Sequence, residues 1–312
     1  MPQKNRINGI ITAASDELSA GRDFKSPGDY DCTMVIDDRK RTYRVHLPTG
    51  VKTGERLPLV IMLHGGQMTG IQMERITGLS ETADDKNFVV VYPDAIGIYK
   101  GRLYWNDSRV PEVDDVAFIS ALIDELIIRE NIDSRRVYVA GYSNGGGMAN
   151  FLGVAISDKI AAIAPVAGTI VRDMDKKWQP KRPVPVLYFH GTADQLAYYE
   201  GGTAGTFRGS SLSAEQHVQW WAKMNGCDSE PACKELKKDP SGLSIKRYIY
   251  GKGRGTAKVV FYRIEGGGHT WPGKPNAFPI KIYGKTTVNL DANEIIWRFF
   301  KNYKLPIDSL NF

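Results

Sequence analysis

Ser143 lies in the stretch GYSNGGG (141–147), between the apolar run RVYVA (136–140) and MANFLGVAI (148–156). A serine hydroxyl is a weak nucleophile unless a base takes its proton and donors receive the charge that develops. The G-x-S-x-G spacing suits that task when a strand leads in and a helix leads out, because the sharp turn lifts the hydroxyl off the sheet edge. Both flanks are present. Gly141 and Gly145 read as positions where a side chain would collide with the neighbouring strand and helix. Three successive glycines start a helix badly, so the run points to a constraint at Ser143 and not to helix propensity. Gly146 and Gly147 are left to bring the helix close to the sheet, with regular helix expected from Met148 onward. The helix start also offers free N–H groups and a positive dipole end to an anion.

A nucleophilic serine needs a base, and the α/β-hydrolase chain order is serine, then a carboxylate, then histidine. The histidines are His46, His64, His190, His217 and His269, and the last three follow Ser143. His190 ends an apolar run and His217 falls inside a helical segment. His269 lies in EGGGHTWPG (265–273), just past the last predicted strand, and is the expected base. Asp194, in FHGTADQLAYY (189–199), follows the end of a strand and is the expected acid, orienting the imidazole and stabilising its cationic form. Asp173, Asp175, Asp228 and Asp239 have no strand leading in. The oxyanion hole is expected from backbone N–H groups: Asn144, and Gly66 from LHGGQMTG (63–70), with Gln67 as second choice for the latter. His64 reads as a structural hydrogen-bonding residue. Trp105 (in YWND), Trp271 (in HTWPG) and Tyr142 are candidates for walls of the substrate site, the competing reading being that they pack the loops.

The elements that must position these residues follow from hydrophobic periodicity. DCTMVI (31–36) and RTYRVHLP (41–48) read as an antiparallel hairpin. From residue 57 continuous apolar runs appear at 57–66, 87–93, 136–143, 160–168 and 184–191, followed by 258–266; such runs suit strands buried on both faces. Helices are predicted over 113–131, 145–157, 213–224 and 291–302. Ser213 and Gln216 form a capping box for the third of these, and Asp114 and Asp115 read as the cap and first-turn acid of the first. Long loops are expected at 93–112, 168–183, 195–212 and 226–244, with 195–212 a candidate lid. The alternation implies an α/β fold with a mostly parallel sheet, a leading antiparallel hairpin and helices on both faces, organised as an irregular N-terminal arm (1–28) and one catalytic domain (29–312).

The 312 residues are 42% apolar and 24% charged, as in ordinary globular domains. The net charge of +6 is spread over clusters such as DDRKR (37–41), DKKWQPKR (175–182) and KELKK (234–238), each carrying or adjoining acids, so they read as solvated faces and not as a nucleic-acid footprint. Cys32, Cys227 and Cys233 include no CxxC pair, which argues against a zinc or redox site; Cys227 and Cys233 are either a small disulfide or two free thiols. The first residues lack the apolar core of a signal peptide, and no run of about 18 apolar residues suggests a membrane span. No metal or organic cofactor is expected.

LHGGQMTG, PDAIG with YWND, VDDVAFI, GYSNGGGMA, HGTAD and EGGGHTWPG together resemble the poly(3-hydroxybutyrate) depolymerase-type esterases, which overlap carbohydrate esterase family 1 with its feruloyl and acetylxylan esterases. The resemblance spans residues 31–302. It implies the α/β-hydrolase fold, Ser143, Asp194 and His269 as the triad, and a serine ester hydrolase acting on feruloyl, related hydroxycinnamoyl or acetyl esters of plant polysaccharide. The alternative within the class is a polyester depolymerase; a serine peptidase and a non-catalytic binding module are the rivals outside it. The implied partner is an ester substrate, monomeric or polymeric, with no nucleic acid or membrane, and the chain itself a monomer or small homo-oligomer. The resemblance implies an extracellular location, with a cytoplasmic one as the alternative. Many relatives carry an export signal, a linked binding module and more cysteines, which this sequence does not show.

Overall fold

The computed structural model describes residues 26–51, 54–99, 101–106, 113–172, 174–203, 210–236 and 239–306. The expected arm thus lies almost wholly outside the described residues, as does the middle of the expected 195–212 lid. In chain order the strands are β1 (Gly28–Ile36), β2 (Arg39–Leu47), β3 (Leu57–Leu63), β4 (Val89–Pro93), β5 (Gly97–Tyr99), β6 (Arg102–Tyr104), β7 (Ile132–Tyr142), β8 (Ala162–Val166), β9 (Val186–Gly191), β10 (Ala232–Glu235), β11 (Ser244–Tyr250) and β12 (Val259–Glu265). The helices are α1 (Gly70–Thr77), α2 (Leu79–Lys86), α3 (Asp115–Arg129), α4 (Asn144–Ala155), α5 (Met174–Lys177), α6 (Ala214–Asn225), α7 (Ile280–Tyr283) and α8 (Ala292–Phe300).

Ten strands form one sheet in the order β1-β2-β4-β3-β7-β8-β9-β12-β11-β10. The six inner strands from β4 to β12 run parallel, and the two at each margin pair antiparallel. Parallelism matters for function because it brings the C-terminal ends of β7, β9 and β12 to one edge, where Ser143, Asp194 and His269 follow. The apolar runs are strands because every second side chain enters a different core. Leu59, Ile61 and Leu63 of β3 pack with Val137 and Val139 of β7 and with α3, α4 and α6 on one face. Val60 and Met62 pack with Tyr138 and Ala140 and with α1, α2 and α8 on the other. The second face is sealed by stacked rings: Phe88 on Trp297 at 4.3 Å and Tyr138 on Phe300 at 4.7 Å between centroids.

The predicted hairpin is present, turning through Asp37 and Asp38, both at positive φ as a tight two-residue connection requires. The capping box of Ser213 with Gln216 is formed, and Asp114 caps α3 by accepting from Ala117 N–H. Asp115 goes deeper than a first-turn acid. It is buried against the Arg41 guanidinium at 2.5 Å, which itself lies over the Phe118 ring, and it accepts the Asn106 N–H at 2.7 Å. Burial pushes its carboxyl up, against the pull of Arg41.

The structure adds elements to three stretches where periodicity is weak. The expected loop 93–112 contains the β5–β6 hairpin, 226–244 contains β10, and α1 and α2 fill the interval before β4. Cys227 and Cys233 are free thiols.

α4 begins at Asn144, directly after Ser143, and its first turn is pressed into the sheet. A Cβ on Gly145 would lie 2.3 Å from the Leu63 carbonyl oxygen, and one on Gly141 2.2 Å from the Gly145 carbonyl oxygen. Backbone cannot yield as a side chain does. Gly145→Ala is therefore expected to cost about 3 kcal/mol or more, lowering Tm by roughly 6–12 °C in a thermal melt; an unchanged Tm would show that α4 can back away from β3.

Candidate active site

Ser143 occupies a left-handed, strained conformation, φ 55° and ψ −113°, between β7 and α4. Its N–H donates to the Val166 carbonyl of β8 at 2.8 Å, which ties the turn to the neighbouring strand. No side chain caps α4: among the described residues the N–H groups of Asn144, Gly145 and Gly146 meet no partner, while that of Gly147 donates to Ser143 O at 3.0 Å. Ser143 itself is half-buried.

Across the same edge, His269 Nδ1 lies 2.7 Å from Asp194 Oδ2. That contact puts the proton on Nδ1 and leaves Nε2 to act on a hydroxyl. Asp194 is fixed from its other oxygen, Oδ1 accepting the N–H groups of Leu196 and Ala197 at 2.9 and 2.8 Å. Burial pushes the Asp194 carboxyl up, but the charge and hydrogen bonds of His269 and His190 outweigh it and hold the group well below the usual carboxylate range. The backbone of His269 is held twice: its N–H donates to Tyr283 O at 2.6 Å, and its carbonyl accepts the Tyr142 hydroxyl at 2.7 Å. No hydrogen bond joins Ser143 Oγ to His269 in this structure; such contacts commonly tighten only when substrate is bound.

The expected oxyanion donors divide. Asn144 opens α4, and its side chain clamps Trp105 from both sides, Oδ1 accepting the Trp105 N–H at 2.6 Å and Nδ2 donating to the Trp105 carbonyl at 3.2 Å. The Gly66 N–H makes no hydrogen bond among the described residues, and the Tyr104 ring covers its Cα so closely that a Cβ would fall 2.3 Å from Cε1. Gln67 is a correction. Its N–H donates to Leu103 O at 2.8 Å, so the β5–β6 hairpin already occupies it. His64 is structural as expected: Nδ1 donates to Gly65 O and Nε2 accepts Ala95 N–H, while burial pushes its pKa down.

The expected substrate walls also need correction. Trp105, Tyr142 and Trp271 are 2%, 2% and 4% exposed, and their polar hydrogens go to His64 O, His269 O and Asn293 Oδ1. They brace the loops and offer little surface to an acyl group. The half-buried aromatics nearest the site are instead Tyr104, against Gly66, and Tyr283, whose ring lies 6.1 Å from that of His269 and stacks on Phe278 at 4.4 Å. Tyr104 could have been found from YWND, one position earlier. Tyr283 lies in a four-residue helix that no periodicity announces.

Behind the site lie two further histidines. His190 Nε2–H donates to Ala197 O at 2.7 Å and stands 3.3 Å from Asp194 Oδ2, while its Nδ1 is hydrogen-bonded to the Tyr188 hydroxyl. The Tyr188 ring packs 4.2 Å from that of His217. His217 Nε2–H and Trp221 Nε1–H both donate to Asn150 Oδ1, at 2.8 and 2.9 Å, and Asn150 Nδ2 donates back to Gly146 O in the first turn of α4. Among the described residues, one group brings metal-type donors together, Asp29, His46 and Glu74. Two of its donors are already engaged, His46 Nδ1 by Asp29 and Glu74 by Arg44 and Ser80.

The sheet order and the site define an α/β-hydrolase fold. The acetyl xylan esterase from Aspergillus awamori superposes with a TM-score of 0.59 over 78% of this chain and 94% of that one, at 18% identity, a likeness of fold. The family described as Esterase PHB depolymerase matches residues 41–181. The putative esterase NocK of Nocardia uniformis subsp. tsuyamanensis is 30% identical over 281 residues, covering 83% of this chain and 78% of that protein. Feruloyl esterase B of Piromyces equi is 32% identical over 230 residues, covering 72% of this chain but 42% of that protein. The chain belongs to the poly(3-hydroxybutyrate) depolymerase-type family of carboxylic ester hydrolases.

Burial holds His217 neutral, its pKa pushed down to about 3, and its Nδ1 has no hydrogen-bond partner. Unfolded, the same group titrates near ~6.5. Below that pH the unfolded chain takes up a proton that the native one refuses, so this contribution to stability is lost progressively from about pH 6.5 downward. His217→Gln, which can still donate to Asn150, is expected to shrink the fall in Tm between pH 7.5 and pH 4.5 by about 3 °C or more. Parallel Tm–pH curves for the two proteins would refute this.

Proposed function

We propose that Ser143, Asp194 and His269 are the catalytic triad of a serine ester hydrolase that works through an acyl-enzyme. The observation that carries this reading is the 2.7 Å Asp194–His269 contact at the sheet edge that also bears Ser143 at positive φ. His269 Nε2 takes the Ser143 proton as Oγ attacks the ester carbonyl. The oxyanion rests on the N–H groups of Asn144 and Gly66. His269, its charge balanced by Asp194, then protonates the leaving alcohol. Water, deprotonated by the same imidazole, releases the acid.

For substrate, we propose feruloyl, hydroxycinnamoyl or acetyl esters of plant polysaccharide. The names of the feruloyl and acetyl xylan esterases among its relatives and fold neighbours support this. The site adds a physical argument for a bulky acyl group. Beside His269, Tyr283 stacks on Phe278, and the adjoining Ile280 and Ile282 are 57% and 53% exposed. That apolar lip suits an aromatic ring better than a methyl group. A cell-wall substrate implies action outside the producing cell, since an insoluble polymer does not enter one. Poly(3-hydroxyalkanoate) depolymerase C of Paucimonas lemoignei, 24% identical over 251 residues, supports the polyester alternative.

Comparing kcat/KM on methyl ferulate, an aryl acetate and a 3-hydroxybutyrate oligomer separates these readings, with methyl ferulate expected to lead. Ser143→Ala should lower kcat by about 10⁴-fold or more with an unchanged far-UV spectrum; retained hydrolysis would sink the triad assignment. Tyr283→Ala should raise KM for methyl ferulate by about tenfold while leaving that for the aryl acetate within about twofold, one aromatic contact being worth roughly 1 kcal/mol or a little more. Equal losses on both substrates would mean that Tyr283 merely supports His269.

A further inference from the structure

A groove of roughly 690 Å³, within the range of ligand sites, lies between α8 and the antiparallel margin β12-β11-β10. Ser143, Asp194 and His269 do not line it. Its chemistry is one-sided. Arg247, Lys258 and Arg298 line it, and the single acidic side chain among its walls, Asp291, already accepts the Glu294 N–H as the cap of α8. Lys234 pairs directly opposite Arg247 in the β10–β11 register, so two cations face each other on the same side of the sheet. Like charges so placed repel.

Several basic side chains elsewhere find carboxylates: Arg44 meets Asp31 and Glu74, Lys159 meets Asp124, and Arg263 meets Glu215 and Glu265, while Arg135, Arg182 and Arg254 bond to backbone carbonyls. Among the described residues, Lys234, Arg247, Lys258 and Arg298 form no ion pair; Arg298 Nε donates to Glu294 O at 3.3 Å, and Arg247 Nε is buried without a hydrogen-bond partner. Between these cations the walls include the half-buried rings of Phe299 and Tyr303, 4.8 Å apart, and the amide of Asn302, whose Nδ2 donates to Arg298 O. The upper end of the groove adjoins the catalytic loop, because Leu290 and Asp291 pack on Gly273, four residues after His269.

Unpaired guanidinium groups select carboxylates, aromatic faces stack on the apolar faces of sugar rings, and amides take hydroxyls. We propose that this groove binds a uronic-acid-bearing polysaccharide and tethers, beside the catalytic loop, the polymer whose esters are hydrolysed. The choice of a carbohydrate over other polyanions rests on the ester-hydrolase reading above; the anionic character rests on the groove alone.

The test is affinity electrophoresis of the full chain in gels containing deacetylated glucuronoxylan, the same polymer with its carboxyl groups reduced, or a DNA oligonucleotide. Glucuronoxylan is expected to retard the protein, with apparent affinity about tenfold weaker for the reduced polymer and about tenfold weaker for Arg247→Gln/Arg298→Gln. The aryl acetate kcat/KM of that variant should stay within about twofold of wild type. Should the double variant lose this activity, and so have failed to fold, the exposed Lys258→Gln replaces it, with a smaller loss of retardation expected. Equal retardation by the reduced polymer, unaltered retardation of the variants, or DNA binding as tight as glucuronoxylan binding overturns the proposal. Retardation without hydrolysis of any ester would leave the groove assignment standing and remove the esterase reading; hydrolysis without retardation would do the reverse.

Discussion

The site depends on one close approach of backbone to backbone. The first turn of α4 lies against the end of β3 at Gly145, against β7 at Gly141 and against Gly168 after β8, where a Cβ would fall 2.4 Å from the Ser143 carbonyl oxygen. With the helix driven that far into the sheet, the chain leaving β7 has no room for an ordinary turn. Ser143 takes up the misfit at positive φ, a conformation that costs a non-glycine residue about 1–3 kcal/mol and persists only when its surroundings over-determine it. The over-determination is visible: Ser143 N–H is tied to Val166, and Asn144 grips both polar groups of the Trp105 backbone. The same geometry keeps the first N–H groups of α4 unpaired, which is where an oxyanion would rest. The position of the proposed nucleophile and that of the proposed oxyanion donors thus share a single cause.

That cause propagates outward through loops that look unrelated in sequence. Asn144 holds Trp105; the Trp105 indole N–H holds His64 O; His64 Nε2 takes the N–H of Ala95. The end of β3, the end of β4 and the β5–β6 hairpin are thereby locked to the elbow. This explains why Gly66 keeps a free N–H while Gln67, its neighbour, does not: the hairpin that fixes the loop bonds to Gln67 through Leu103. It also explains why the tryptophan of YWND is buried and not lining the site, since its indole has a structural bond to make.

Much of this was legible in residue order, and the failures have physical reasons. Strands buried on both faces, such as LPLVIML, announce themselves because both cores demand apolar residues at every position. The elbow was legible because close approach leaves a glycine signature on both sides of Ser143. Helix α2 (LSETADDK) buries only Leu79 and Ala83, too few for a stripe. Strands β10 and β11 lie at a sheet margin with mostly exposed or half-exposed residues, and their cations break any alternation. The Trp105, Tyr142 and Trp271 expectation went astray because residue type does not report exposure: an aromatic beside a catalytic loop serves as well under it as over it. Gln67 was misjudged because whether a backbone N–H is free depends on a partner, Leu103, that lies 36 positions away in the chain.

The least legible feature is the polar seam beneath the site. Asp194, His190, Tyr188, His217 and Asn150 form a continuous buried path from the acid of the candidate triad back to Gly146 in the first turn of α4. Its imidazoles earn no place by apolar packing alone, since each carries two nitrogens that burial penalises. Most of that cost is offset by direction. His190 donates from Nε2, because its partner there is a carbonyl, and its Nδ1 is hydrogen-bonded to the Tyr188 hydroxyl. His217 must donate from Nε2 to Asn150 Oδ1, which fixes the amide so that its nitrogen points at Gly146 O. The carbonyls of Ala197 and Gly146 fix the donors at the two ends of the path, and Asp194 is left as an acceptor facing His269. A carboxylate held this way cannot turn away from the imidazole it serves; α4 cannot slide relative to α6 without breaking the Asn150–His217 hydrogen bond, and α6 in turn packs on β9 through the Tyr188–His217 ring contact. Ser143 and Asp194 sit on different elements, and the seam makes their separation a property of the core and not of the loops that carry them.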